Sequence, residues 1–400
     1  DPAQSCGGRL AGGTARAVPA LAALLTDEQL SQSVRCALEA MPCPEAGAAL
    51  REALPKTAGK TRAGIIDSLG VRRDRGSVPA LSDLAADPDA LTASAAVAAL
   101  GKIGGPDAVR ALRGIRPKAP AELTAVAADA LLRAADLALA EGDPEGARSI
   151  CQEMAAPAER EHVRTAATRG LLRAAGDGAV PLVEAALTGK DRAAQRAAIP
   201  WVREMKGEAA TKAFAGLVAK VPPGIQVALL ESLEQRGDPA AAPAAAAATG
   251  SPAQEVRIAA LAALGTLGNA AIAPLLAEAA ARATGAEQNA ARRSLDLLRD
   301  AKVCEALLAH LPKAQPAVQG EIVRALGQRQ ETQAVPALLK MAAEGEEPLR
   351  RVACRSLAVL ADGSAVDDLI RLLLGAKADA EREAVERALG AACERSDRPA

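Results

Sequence analysis

The sequence predicts an all-α fold, a right-handed α-α superhelix of about twelve stacked helical hairpins with a 31-residue period. Three observations predict it. Half of the 400 residues are hydrophobic, but there is one Trp, one Phe and no Tyr. An alanine-rich chain of this kind suits a thin core between closely approaching helices, and alanine is the best helix former. No stretch alternates in the β-branched pattern of a strand. Finally, one leucine-centred helix end returns at fixed spacing, the mark of a repeat architecture.

That helix end reads SLEQRG (232–237), ALGTLG (263–268), SLDLLR (294–299), ALGQRQ (325–330) and SLAVLA (356–361). Its leucines, at 233, 264, 295, 326 and 357, stand 31 residues apart. Backwards the series extends through Val202 and Leu172 to Leu100, Leu69 and Leu38; forwards it reaches Leu389, one residue late. A second signal keeps phase with the first: VPAL at 18–21, 78–81 and 335–338, VPL at 180–182 and APLL at 273–276.

Residues 255–280, EVRIAALAALGTLGNAAIAPLLAEAA, show what the repeat is. A first helix runs from about Ala253 to Leu267. Gly268 fits the left-handed position that ends a helix. Pro274 opens a second helix, where its missing N–H costs nothing. Gly265, inside the last turn, would let a neighbouring helix approach closely. Val256, Ala260, Leu264 and Leu267 share one face of the first helix; Ile272, Leu275, Leu276 and Ala279 share one face of the second. One hairpin buries too few of these to stand alone, so neighbours must cover it.

The pattern VR-x-A-A-x-x-A-L-G-x-L-G, followed by A-x-x-x-L-L, resembles a HEAT repeat, most closely the short bacterial type also found in phycobilisome-lyase-like proteins. The stretch from Val256-Arg257 to Gly268 matches best. Val163-Arg164, Leu349-Arg350-Arg351-Val352 and Val34-Arg35 mark further units. The resemblance implies a solenoid over residues 16–395, with an N-terminal extension at 1–15 and the start of a linker at 396–400. It also implies that Arg35, Arg164 and Arg257 bond to acidic groups between units. Between Leu100 and Leu172 the rhythm reads as two units of about 36 residues. There ADALLRAADLALAEGDPEGARSICQEM (128–154) is similar to a tetratricopeptide hairpin, assigned to 128–156, and RPKAP at 116–120 precedes it as a break.

Little in the sequence points to catalysis. Gly59-Lys60-Thr61 lacks the earlier glycine and the strand of a phosphate loop and reads as a turn between hairpins. His162 and His310 are the two histidines, in no ligand or triad context. Forty-eight basic against 49 acidic residues argue against a dedicated nucleic-acid binder. No run of 18 strongly apolar residues occurs. Seven cysteines form no C-x-x-C pair. Cys304 and Cys354 read as small buried side chains, whereas Cys6, Cys36 and Cys43 cluster where an exported protein could hold a disulfide. A periplasmic or secreted location fits slightly better than a cytoplasmic one.

The expected function is a non-catalytic scaffold or adaptor that binds a protein or peptide, with no cofactor and no metal. Its second helices should line the concave side and expose Arg110, Arg113, Glu184, Lys212, Glu278, Lys340, Asp368 and Arg371 to the partner. Trp201 fills a slot held elsewhere by Ser232, Ala263, Ser294, Ala325 and Ser356; it either packs in the core or anchors a partner. The rival readings are a lyase-like or modifying subunit with a pocket near Trp201, and nucleic-acid binding through a basic stripe.

Overall fold

The computed structural model describes residues 15–376 and 378–396, and among them it contains α-helices, short 3-10 turns and no strand. The extension expected at 1–15 and the linker start at 396–400 lie outside these residues, apart from Ala15 and Ser396. The chain divides into two units. One holds the residues up to Leu182 together with Asp191–Ala198; the other holds Val183–Lys190 together with the residues from Ile199 onward.

In the first unit a longer first helix pairs with a shorter second one: Gly59–Val71 with Val78–Leu84, Ala90–Ile103 with Gly105–Ile115, and Ala121–Ala140 with Pro144–Met154. Gly59-Lys60-Thr61 is thus the first turn of a helix, not a turn between hairpins. First helices lie on first helices. A Cβ at Gly70 would sit 3.0 Å from the Cα of Ala99, and one at Gly101 only 2.6 Å from the Cα of Ala130. The backbones touch there, which is why glycine faces alanine.

Leu38, Leu69, Leu100 and Leu131 are fully buried and spaced by 31 residues. The phase therefore runs on to Leu131, and the irregularity is one 41-residue step from Leu131 to Leu172, not two of about 36. Leu131 is followed by Leu132, not by the glycine that follows Leu69, Leu100, Leu264 and Leu326, so its phase is hard to see in the sequence. The extra length sits in the 20-residue helix Ala121–Ala140 and in the following turn. There the Asp143 side chain accepts a 2.8 Å hydrogen bond from the Gly146 N–H.

In the second unit Val202, Leu233, Leu264, Leu295, Leu326 and Leu357 are buried in the same register. Each contributes about 1.5–3 kcal/mol. Ala388, not Leu389, takes the last place: Ala388 is fully buried and Leu389 only half-buried. Gly265 abuts Ser294 and Gly327 abuts Ser356, repeating the glycine-to-small contact of the first unit.

Two details of the hairpin at 253–282 differ from expectation. Gly268 is extended (φ −78°, ψ 161°) instead of left-handed. Glycine is needed there because a Cβ would fall 2.5 Å from the Leu264 carbonyl oxygen. The second helix, Ala273–Arg282, buries Ala273, Leu276, Ala277 and Ala280. Ile272, Leu275 and Ala279 are only half-buried. Pro274 does open this helix.

The helix ends are closed by arginines. Arg329, three residues after Leu326, donates to the carbonyls of Leu295 (3.2 Å), Asp296 (3.1 Å) and Leu298 (2.7 Å) in the preceding repeat. Arg236 does the same for Val202, Met205 and Gly207, and Arg72 for Leu38, Met41 and Cys43. The last carbonyls of a helix have no intrahelical partner, and a guanidinium there also meets the negative end of the dipole.

Candidate binding surface

Every charged residue expected on a second helix lies on one. Arg110 and Arg113 are on Gly105–Ile115, Glu184 on Val180–Thr188, Lys212 on Glu208–Ala215 and Glu278 on Ala273–Arg282. Lys340 is on Val335–Glu344, and Asp368 and Arg371 are on Val366–Gly375. They are exposed, save Glu278 and Asp368, which are half-buried.

Only some of them come together. Lys340, Asp368 and Arg371 line a groove of about 700 Å³ between the helices Val335–Glu344 and Val366–Gly375, over Val335, Leu339 and Leu372. Arg110 and Arg113 line a smaller one of about 350 Å³ against the helix Pro144–Met154. Glu184, Lys212 and Glu278 line neither groove.

Most of these charges are already paired locally. Asp368 and Arg371 meet at 2.7 Å, Lys340 and Glu344 at 3.9 Å, Arg110 and Asp107 at 2.7 Å, and Lys212 and Glu208 at 2.7 Å. Such exposed pairs within one helix contribute little to stability, because solvent screens them. Arg113 reaches across to Glu153 at 2.8 Å. Glu278 takes Arg282 at 2.9 Å, with His310 at 3.6 Å.

Trp201 is half-buried on the first helix Arg192–Glu204, whereas Ser232, Ala263, Ser294, Ala325 and Ser356 are buried in the matching slot. Trp201 lines neither of the two grooves above.

The arginines named from the sequence divide. Arg164 bonds Asp191 at 3.1 and 3.2 Å, and Arg257 bonds Glu287 at 2.8 Å through two nitrogens. Arg35 instead donates to the Gly64 carbonyl at 2.8 Å and the Ser68 hydroxyl at 3.4 Å. It stands three residues before its leucine, whereas Arg257 stands seven before Leu264. The residues truly in register are Arg62, with Thr57 O at 2.5 Å and Asp87 at 3.1 Å, and Arg350, with Glu381 at 2.6 Å. Counting back from each leucine, not looking for Val-Arg, would have found them.

These guanidinium groups hold the Glu287 and Asp191 carboxyls below their usual range. For Glu321, burial pushes upward, but Arg292 and Arg324 together carry it below. Burial drives the thiols of Cys151, Cys304 and Cys354 up to about 11. Cys36 and Cys43 are free thiols, and Cys6 lies outside the described residues. Among the described residues no group of three or more His, Cys, Asp and Glu could hold a metal ion, and no helix is long and apolar enough to cross a membrane.

A family model of HEAT repeats matches residues 44–132 and 304–390. These two stretches are HEAT repeats. The unit around Val256–Gly268, where the sequence pattern looked strongest, lies between the matched stretches, and its hairpin follows the same register. No curated protein sequence matches the chain. Among solved structures, the chain is similar to the complex of CpcE and CpcF of phycocyanin lyase from Nostoc sp. PCC7120, at 21% identity over 53% of this chain and 93% of that one, TM-score 0.29. Human deoxyhypusine hydroxylase aligns at 21% identity over 79% and 97%, TM-score 0.28. Importin beta aligns at 14% identity over 96% and 64%, TM-score 0.42. At such scores these likenesses carry no weight for function.

Proposed function

We propose that this HEAT-repeat chain is a non-catalytic scaffold that binds a protein or extended peptide along the second helices of its hairpins. The observation that carries the proposal is the 700 Å³ groove between Val335–Glu344 and Val366–Gly375, with apolar Val335, Leu339 and Leu372 beside both signs of charge. Apolar burial supplies affinity in such a groove, while flanking charges of mixed sign fix register and exclude wrong partners. Lys340 and Arg371 are the residues expected to select the partner.

The test is affinity capture from the native host with the wild-type chain and with the Lys340→Glu, Arg371→Glu double variant. Both side chains are exposed, so the variant should keep its helical circular dichroism. A protein recovered by the wild type and lost by the variant supports the proposal. Recovery of nucleic acid or small molecules alone, or identical recovery by both chains, overturns it.

A further inference from the structure

We infer that a second surface, on the first-helix face of residues 285–360, binds an extended acidic peptide. Arg293, Arg324 and Arg355 each stand two residues before the buried leucine of their repeat, at 295, 326 and 357. They lie on the consecutive first helices Gly285–Leu297, Pro316–Gln328 and Glu347–Leu360. One turn further along come Leu297, Gln328 and Val359, in a parallel row. Leu297 is 55% and Val359 50% exposed, high values for apolar side chains. Stacked helix axes are about 8–10 Å apart, so each row has rungs at about that spacing. Three residues of a peptide in the extended polyproline II conformation make one turn, span about 9 Å and return a side chain to the same face. Every third side chain of such a peptide can therefore meet an arginine.

A groove of about 460 Å³ gives this surface depth. Gly320, Gly327, Val352 and Val359 line it together with Arg324 and Arg355. Charge settles the partner's sign. Arg292 bonds Glu321 at 2.8 and 2.5 Å, and Arg324 bonds Asp296 at 3.0 and 2.9 Å and Glu321 at 3.2 Å. Arg292 and Arg324 thus balance Glu321 and Asp296, and Arg293 and Arg355 add positive charge beyond that balance. Arg293 and Arg355, at the ends of the row, are exposed and form no ion pair among the described residues. Arg293 lies within electrostatic reach of Glu234. A nucleic-acid backbone suits the surface poorly: its charges are dense, and Asp296 and Glu321 interrupt the arginines. Spaced carboxylates alternating with apolar side chains suit it well.

The test is fluorescence anisotropy with the full chain and a labelled twelve-residue peptide repeating Asp-Leu-Ser. The controls are an Asn-Leu-Ser peptide and a dT oligonucleotide of equal length. Saturable binding is expected for the acidic peptide, falling at least about tenfold for the Asn peptide. A similar fall is expected with Arg293→Glu, Arg355→Glu, and a smaller one with Leu297→Ser, Val359→Ser. Lys340→Glu, Arg371→Glu should leave it unchanged, which separates this surface from the groove between the second helices. Circular dichroism shows that each variant folds. Absence of saturable binding, equal binding of the Asn peptide, an unmoved affinity in the arginine variant, or tighter binding of the oligonucleotide overturns the inference.

Discussion

A glycine inside a helix costs about 1 kcal/mol against alanine, so one that persists there invites a reason in the packing. Gly101 has one: its missing Cβ admits the Ala130 backbone. Gly114, on the neighbouring second helix, has nothing within 4 Å. Gly101→Ala should destabilise by about 1–3 kcal/mol, because backbone cannot give way as a side-chain tip can. Gly114→Ala should stabilise by about 0.5–1 kcal/mol. Urea unfolding followed by circular dichroism measures both, and an unmoved midpoint for Gly101→Ala would refute the backbone contact. The role of Gly265 was legible in the sequence, because a glycine beside a buried leucine recurs. That of Gly268 was not: glycine serves both left-handed turns, as at Gly237 (φ +71°), and close carbonyl approach, and the letter is the same.

At the scale of the helix, the register of the first helices was readable because large leucines sit on one face and glycine or serine flanks them. The second helices gave less. In APLLAEAAAR, alanine occupies the buried and the open faces alike, so the apolar stripe could be placed one residue out. The charged positions were still found, since Lys, Arg and Glu leave a core stripe whatever its exact phase; which of them would share a groove depends on neighbouring hairpins. Arg62, Arg257 and Arg350 tie the start of one first helix to the next repeat. Glu287 and Asp191 are held below the ordinary carboxylate range by their arginines. A depressed folded-state pKa contributes stability above the unfolded value and loses it as pH falls through the folded value. Thermal stability should therefore be flat near neutrality and decline below about pH 4. Arg257→Met should make that decline shallower while lowering the neutral plateau. A decline of unchanged steepness would show that the Arg257–Glu287 pair plays no part in it.

Across the whole molecule, hairpins that each lean on their neighbours should open locally. Stability in such an array is close to a sum over adjacent interfaces. Gly101→Ala should accordingly speed amide hydrogen exchange in Gly59–Val71, Ala90–Ile103 and Ala121–Ala140 and leave Glu347–Leu360 unaltered. A uniform rise along the chain would mean a single cooperative core instead. The period itself was legible, since five leucines keep it without slippage. The 41-residue step was placed less well, because Leu131 stands between Ala130 and Leu132 with no adjacent glycine or serine to flag its phase.

The short-range pairing on the second helices has one more consequence. Asp107 with Arg110, Glu208 with Lys212, and Asp368 with Arg371 each balance within a single turn of one helix. A hairpin so balanced could exchange its outward residues without upsetting the electrostatics of its neighbours. Specificity on that surface is then free to drift one repeat at a time, while the arginines that bridge repeats hold the array to its spacing.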